Sequence, residues 1–434
     1  MRITKLYINH YKSFLKPFHL EKPGNIHIFI GPNNTGKTNI LDALTQLYSE
    51  DDVRLLDNRS DIYLEFKLKS KYGKILTLEQ KNTKKEFFLD GKKIEDTKAE
   101  AILKRHLVRL CAMTPHDLPK LQMVYHEFYH SYPDLFKIFH DTLLKYFPEI
   151  NTTENFLKTT SIQEFGSMRP FERLGAGFQQ IFVILMFLFH PEYTILLLEE
   201  PEIHLHPALI KKLLAVFEKE NLDNQIFLTT HSPLFIHPNN LHRIFRVVRE
   251  NESTVVYSPR LQGKNIDYSR LTQEMNADNC EMFFADKVLL VEGPSDHILM
   301  RGLINRFYSG TKEIKVIQVY GKSNIDIYSE LLEMFQIPYV VLLDQDAIRD
   351  VGLNLVQKHL RNWGFKTDKD LSKLLKKYSI FILPNGSIEK NYPLKYQKHH
   401  KHKPLNAFHA ANKITTDEYQ SPLMKNIREV IESL

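Results

Sequence analysis

The apolar positions of this chain fall into short runs that alternate in type. The first clear one, "NIHIFI" (25–30), is strand-length and stops at Gly31, with a second strand expected earlier in residues 1–30. "KTNILDALTQLY" follows with apolar residues at helical spacing. Between 61 and 95, "IYLEFKLKS", "GKILTLEQK" and "KEFFLDGKKI" alternate with period two, which predicts half-buried strands, with Asp90-Gly91 as a hairpin turn. Residues 97–165 carry a mostly helical pattern. From "LGAGFQQIFVILMFLF" onward the order is helix, strand ("YTILLLEE"), helix ("PALIKKLLAVFEKE"), strand ("NQIFLTTHS"), closed by a hairpin in "RIFRVVRENESTVVYSP". Near residue 280 the pattern restarts: strand 287–292, helix 295–307, strand 314–319, helix 324–335, strand 339–344, and later "SIFIL". Continuous apolar strands between helices predict parallel sheets covered by helices, an α/β fold occurring twice. The polar stretch "GKNIDYSRLTQEMNADN" separates the two patterns. The expected domains are 1–265, with a small helical insert at about 97–165, and 280–434.

Composition narrows the class without naming it. A chain of 434 residues with 43% hydrophobic and 25% charged content is globular and long enough for two or three cores. The net charge of +6 permits a nucleic-acid partner without requiring one. Two cysteines, Cys111 and Cys280, exclude a disulfide framework and a cysteine-type zinc site, and favour a reducing compartment. The longest apolar run, "IFVILMFLF", is about half of what a bilayer demands. A cytoplasmic protein without a membrane partner is expected.

The chemistry concentrates in two constellations. "GPNNTGKT" fits G-x-x-x-x-G-K-[ST]: Gly31 and Gly36 let the backbone of Asn33 and Asn34 wrap phosphates, Lys37 reaches the β- and γ-phosphates, and the Thr38 hydroxyl binds Mg2+. A strand precedes it and a helix follows, as the motif requires. An NTPase also needs acids at a neighbouring strand end, and "ILLLEEPEIHLHP" offers Glu199 to hold Mg2+ and Glu200 to polarise water. His231 ends the next strand in "QIFLTTHSP", where it could sense the γ-phosphate.

Together with that loop, "LGAGFQQ", "ILLLEEPE" and "LTTHSP" in this order resemble the ABC-type ATPases of the RecF and SMC kind. In that family "LGAGFQQ" is the signature motif, so the resemblance assigns Gly175, Gly177 and Gln179 to ATP held by another protomer and implies a head-to-head dimer. Ala176 stands where the family usually has a hydroxyl, which implies slow hydrolysis.

The second constellation begins in "KVLLVEGPSD", a buried-looking strand that ends in Glu292 with Asp296 close behind. "YVVLLDQD" ends another strand of the same expected sheet in Asp344 and Asp346. Carboxyl ends of parallel strands share one crevice, so four acids converge. Such crowding is unfavourable without a cation, and an all-oxygen donor set suits Mg2+ or Mn2+ rather than zinc. The pair "LLVEGPSD … VLLDQD" resembles the Toprim domain of topoisomerases, primases and certain nucleases, which implies acid/base or metal chemistry at Glu292 and metal binding by the D-x-D pair.

An ABC-type ATPase followed by a Toprim domain is the order of the OLD (overcoming lysogenization defect) family of nucleases, which the chain resembles over nearly its whole length. The resemblance makes Asp296 a metal ligand, offers Glu389 in "LPNGSIEKNYP" as a further one, and marks Lys403 in "KHKPLNAFHAANKI" as the catalytic basic residue. It implies an ATP-regulated, metal-dependent DNA endonuclease or nickase, a homodimer or higher oligomer, and defence against foreign DNA with room for an accessory partner. The run "KNYPLKYQKHHKHK" (390–403) could follow a DNA backbone. The alternatives are a nucleotide-gated DNA clamp that cuts nothing, and a topoisomerase, for which no tyrosine marks itself out.

Overall fold

The computed structural model describes residues 1–45, 60–69, 73–82, 84–111, 117–151, 161–220, 222–259, 275, 277–361, 367–397 and 402–434. It divides into two compact units, one of Met1–Ile236 with Asn240–Ser258 and one of Pro259–Leu434 with His237–Asn239. Most of the inter-domain stretch expected from sequence (262–274 and 276) lies outside the described residues, as do 398–401 of the basic run.

The first unit holds two six-stranded sheets. One is antiparallel and takes in Arg2–Asn9, Phe18–Glu21 and the four strands of residues 61–94. Its period-two pattern is met: in Asp61–Lys67, Ile62, Leu64 and Phe66 are buried while the residues between them are not. Asp90 and Gly91 both have positive φ (49° and 78°), as an Asp-Gly hairpin turn requires. The other sheet runs, in order, Ser253–Tyr257, Ile244–Glu250, Ile26–Ile30, Gln225–Thr230, Ile195–Glu199 and Leu107–Cys111. All its neighbours pair in parallel except the first hairpin. Ile26–Ile30 and Gln225–Thr230 are buried along their whole length, so both faces are covered. One apolar cluster joins the two sheets through residues such as Leu6, Leu64, Phe29, Leu41 and Phe227. The buried Gln225 side chain bridges them, accepting from the backbone N–H of Ile3 at 2.8 Å.

Here the structure departs from the sequence reading. Residues 97–165 are not simply a helical insert: Leu107–Cys111 is an edge strand of the parallel sheet, in register with Ile195–Glu199. Helices do flank it, Asp96–His106 before and Leu118–Ser131 and Pro133–Tyr146 after. Five residues are too few for periodicity to separate a strand from the helix it continues.

The second unit is a four-stranded, all-parallel sheet in the order Ile314–Gln318, Lys287–Val291, Tyr339–Leu343, Ile380–Ile382. The helices Pro294–Phe307, Lys403–Lys413 and Lys425–Glu432 cover one face through Leu299, Leu303, Ala407, Ala411, Val430 and Ile431. Gly302 lets two of them approach closely: a Cβ there would lie 2.6 Å from the Cβ of Ala411. That contact holds the helix beginning at Lys403 against the helix that begins just after Glu292. Among the described residues no helix is long and apolar enough to cross a membrane.

Candidate functional sites

Parallel register puts the chemistry of the first unit at one sheet edge. Thr230 pairs with Ile30 and Thr229 with Glu199, so the phosphate loop, Glu199–Glu200 and His231 all leave the sheet at the same end. The loop from Gly31 leads into the helix Lys37–Thr45. Gly36 adopts φ +97°, and a Cβ there would lie 2.3 Å from Thr254 Oγ1 and 2.5 Å from Ser13 Oγ. A cavity of about 540 Å³ opens above the loop, lined by Asn33, Asn34, Lys37, Thr38, Glu200 and His231 among others. Lys37 turns back on the loop, donating to the carbonyls of Gly31 (2.9 Å) and Pro32 (2.8 Å). Burial lowers its ammonium to about 8, with Glu200 and Glu202 opposing.

Each acid of this edge already has a partner. Glu199 accepts from Arg109 Nη2 at 2.6 Å and Nε at 3.2 Å, and Arg109 also reaches Asp42 on the loop's helix at 2.6 Å. Glu200, at φ +46°, places Oε1 3.1 Å from His231 Nε2. Burial and Lys37 hold the His231 ring below its ordinary value, with Glu200 opposing. Glu202 accepts from Thr230 Oγ1 (2.7 Å) and from the His231 backbone N–H (2.8 Å), and burial raises its carboxyl. Arg109 and Glu202 were not singled out from sequence. Glu202 could have been, as the third acid of "EEPE"; Arg109 could not, because its partners lie 67 and 90 positions away. Gly175, Gly177 and Gln179 do not line this cavity. They form the N-terminus of the helix Ala176–Phe189, where Gly175 and Ala176 are exposed and Gln179 donates to the Leu174 carbonyl at 3.0 Å.

In the second unit the acids again gather where strands end. Glu292 follows Lys287–Val291 and accepts from the Asp344 backbone N–H at 2.9 Å, which joins two strand ends directly. Asp296 caps its helix, accepting from the Gly293 N–H at 2.9 Å. Burial pushes Asp296 up to about 7, with Asp344, Glu292 and Glu389 adding repulsion. Asp344 is likewise pushed up to about 7 by burial, then by Glu292, Asp346 and Glu389. Burial raises Glu292 too. Asp346 points outward and pairs with Lys322 at 2.6 Å, while Glu389 lies 3.6 Å from Lys403 Nζ.

These acids feel one another, yet among the described residues no three His, Cys, Asp or Glu side chains stand at metal-ligand spacing. Glu292 and Asp296 instead cap backbone amides, which is how carboxylates relieve repulsion where no ion joins them. The donor set fits a hard divalent cation: it is all oxygen, partly buried, and strained by like charge. Lys322 and Asp350, 3.4 Å apart, belong to the same cluster and were not anticipated.

The geometry defines a P-loop ATPase unit and a separate Toprim unit on one chain. Three family descriptions match accordingly: "AAA ATPase domain" over residues 1–164, "AAA domain, putative AbiEii toxin, Type IV TA system" over 116–237, and "Overcoming lysogenization defect protein-like, TOPRIM domain" over 283–346. Together these matches support an OLD-family ATPase–Toprim protein. It is 28% identical over 194 residues to the OLD nuclease of Thermus scotoductus, which is 41% of this chain and 36% of that protein. It is 23% identical over 307 residues to the endonuclease GajA of Bacillus cereus, 57% of this chain and 44% of that protein. The matches thus span less than half the length of either relative. An SMC head domain, solved with the C-winged helix domain of ScpA, aligns with a TM-score of 0.48 at 14% identity, covering 60% of this chain and 98% of that one. The two domain types imply use of a nucleotide and a divalent metal.

Proposed function

We propose that the protein is an ATP-regulated, divalent-metal-dependent DNA endonuclease or nickase acting against phage or other foreign DNA. The observation that carries this reading is the inward-facing group Glu292, Asp296 and Asp344. Two of its three carboxyls are pushed up to about 7 by burial and by one another, and Asp344 has no side-chain partner among the described residues. Mg2+ or Mn2+ held by Glu292, Asp296, Asp344, Asp346 and Glu389 would supply charge neutralisation at a phosphodiester and a nucleophile at neutral pH. Glu292, tied to the Asp344 amide, is placed for proton transfer at that edge. Lys403, 62% exposed at the start of its helix, stabilises developing negative charge on the scissile phosphate. Exposed Leu394, Leu405 and Phe408 beside Lys390, Lys395 and Lys403 give DNA an apolar and basic surface.

In the first unit the substrate is ATP. Lys37 would leave the loop carbonyls for the phosphates, Thr38 and Glu199 would hold Mg2+, which would neutralise phosphate charge, and Glu200 with His231 would orient the attacking water. Gly175, Gly177 and Gln179, on an exposed helix N-terminus away from the cavity, serve ATP bound by a second protomer in a homodimer or larger assembly.

The test is a plasmid nicking assay with Mg2+ or Mn2+. Asp344→Ala should reduce cutting by about a thousandfold or more while ATP turnover survives. Glu200→Gln should do the reverse to turnover. Supercoiled DNA left intact by the wild type under every divalent metal would favour a clamp that does not cut. Protein covalently joined to DNA ends after quenching would favour a topoisomerase.

A further inference from the structure

The acids of the Toprim unit fall into two groups that their sequence motifs do not distinguish. Glu292, Asp296 and Asp344 face inward, and none has a lysine or arginine at ion-pair distance among the described residues. Asp346 lies outward with its side chain 70% exposed, and there Lys322 Nζ stands 2.6 Å from Asp346 Oδ2 and 3.4 Å from Asp350 Oδ2. The two groups are joined by backbone. Gly321, at φ +120°, donates its N–H to the Glu292 carbonyl at 3.0 Å. The turn Lys322–Asn324 follows, anchored by the Asn324 side chain on the Val319 carbonyl at 2.9 Å. Lys322 is therefore delivered to the outer carboxylates by the same loop that touches the inner strand end.

We propose that Lys322 is a built-in counter-cation for the outer half of the site. A first divalent ion enters among the inner carboxylates, and a second reaches Asp346 only by displacing the ammonium. This rests on the metal reading of the site given above. Physically the order follows from what each ion replaces. The inner ion relieves repulsion between partly buried acids that no lysine or arginine pairs with directly among the described residues, whereas the outer ion must first break an ion pair that already neutralises its ligands. That pair is displaceable, because a lysine–carboxylate pair with one partner in solvent holds only weakly. The second bond to Asp350 makes the displacement costlier. Lys322 is thus a positioning residue that separates the two metal affinities, so that cutting is set by free metal concentration over a range where the inner ion is already bound.

The experiment is calorimetric titration of Mn2+ into the full chain without DNA. The wild type should show one tight event and a second that is weak or absent. Lys322→Met should strengthen the second event by about tenfold and the first by much less, since the ammonium also acts on Glu292 from a distance. Asp350→Asn should shift it the same way by less, and Lys322→Arg should keep wild-type behaviour. Lys358→Met removes the same charge from a lysine that pairs with Glu333, and should change neither constant. Wild-type constants in Lys322→Met, or an equal shift in Lys358→Met, would overturn the assignment. If the wild type takes up no Mn2+ at all, the metal reading itself falls. That failure is separable, because no variant would then show either event.

Discussion

The two acidic edges of this molecule solve the same electrostatic problem in opposite ways. At the nucleotide edge every carboxylate is matched by a protein group: Glu199 by Arg109, Glu200 by His231, Glu202 by Thr230 and a backbone N–H. At the Toprim edge no lysine or arginine among the described residues pairs directly with the inner carboxylates, which are held by backbone caps and by the helix packing around Gly302, with Lys322 and Lys403 acting only from a distance. The first edge is held in shape by its own charges before any ligand arrives. The second is held by packing, against its charges. Where acids are pre-paired the protein's own cations set their geometry; where they are not, a ligand cation must.

The sharpest way to break this contrast is through the packing. Gly302→Val should destabilise the Toprim unit by about 3 kcal/mol, because the new side chain meets Ala411. The ATPase transition should stay in place in a calorimetric scan. Loss of both transitions together would show that the edges are not independently supported.

Next in size is neutralisation of one acid in each unit. Glu199→Gln strips Arg109 of its main partner and should cost the first unit about 2 kcal/mol. Asp344→Asn removes a charge that no side chain among the described residues pairs with, and should stabilise the metal-free Toprim unit by about 1 kcal/mol, read by urea denaturation in chelator. Equal signs for the two would abolish the distinction drawn here. Added Mn2+ should stabilise the wild-type Toprim unit and have little effect on the Asp344→Asn variant.

The smallest effect concerns acid. Burial holds His27 and His190 in the first unit down to about 4, and both are almost wholly inaccessible to solvent. Their folded values lie below the ordinary 6.5, so the unfolded chain takes up protons that the folded one refuses. Their contribution is complete above pH 6.5 and is lost as pH falls toward about 4. Urea midpoints of the first unit at pH 7 and pH 5 should differ in that sense, and His190→Phe should shrink the difference.

Much of the fold was legible because the sheet behind each acidic edge is parallel, apart from one hairpin. Buried parallel strands write themselves as unbroken apolar runs, and the residue following each run is by construction at the working edge. Glu199, Glu292, Asp344 and His231 were readable for that reason. Arg109, Lys322 and Asp350 were not, since nothing in their immediate surroundings distinguishes them from solvent-facing charges. Arg109 sits on a strand too short to announce itself, and Lys322 acquires meaning only once the turn at Gly321 brings it to Asp346. Positioning by the chain's own cations is a tertiary property, and local pattern does not encode it.

The contact between Gly302 and Ala411 also has a consequence in time. Every residue of the nucleotide edge precedes Ser258, whereas the helix carrying Lys403 can dock only after Ala411 has been synthesised. A chain emerging from the ribosome folds its earlier domain first. In the nascent protein the nucleotide edge would therefore be complete well before the acidic edge of the Toprim unit had the helix that packs behind it.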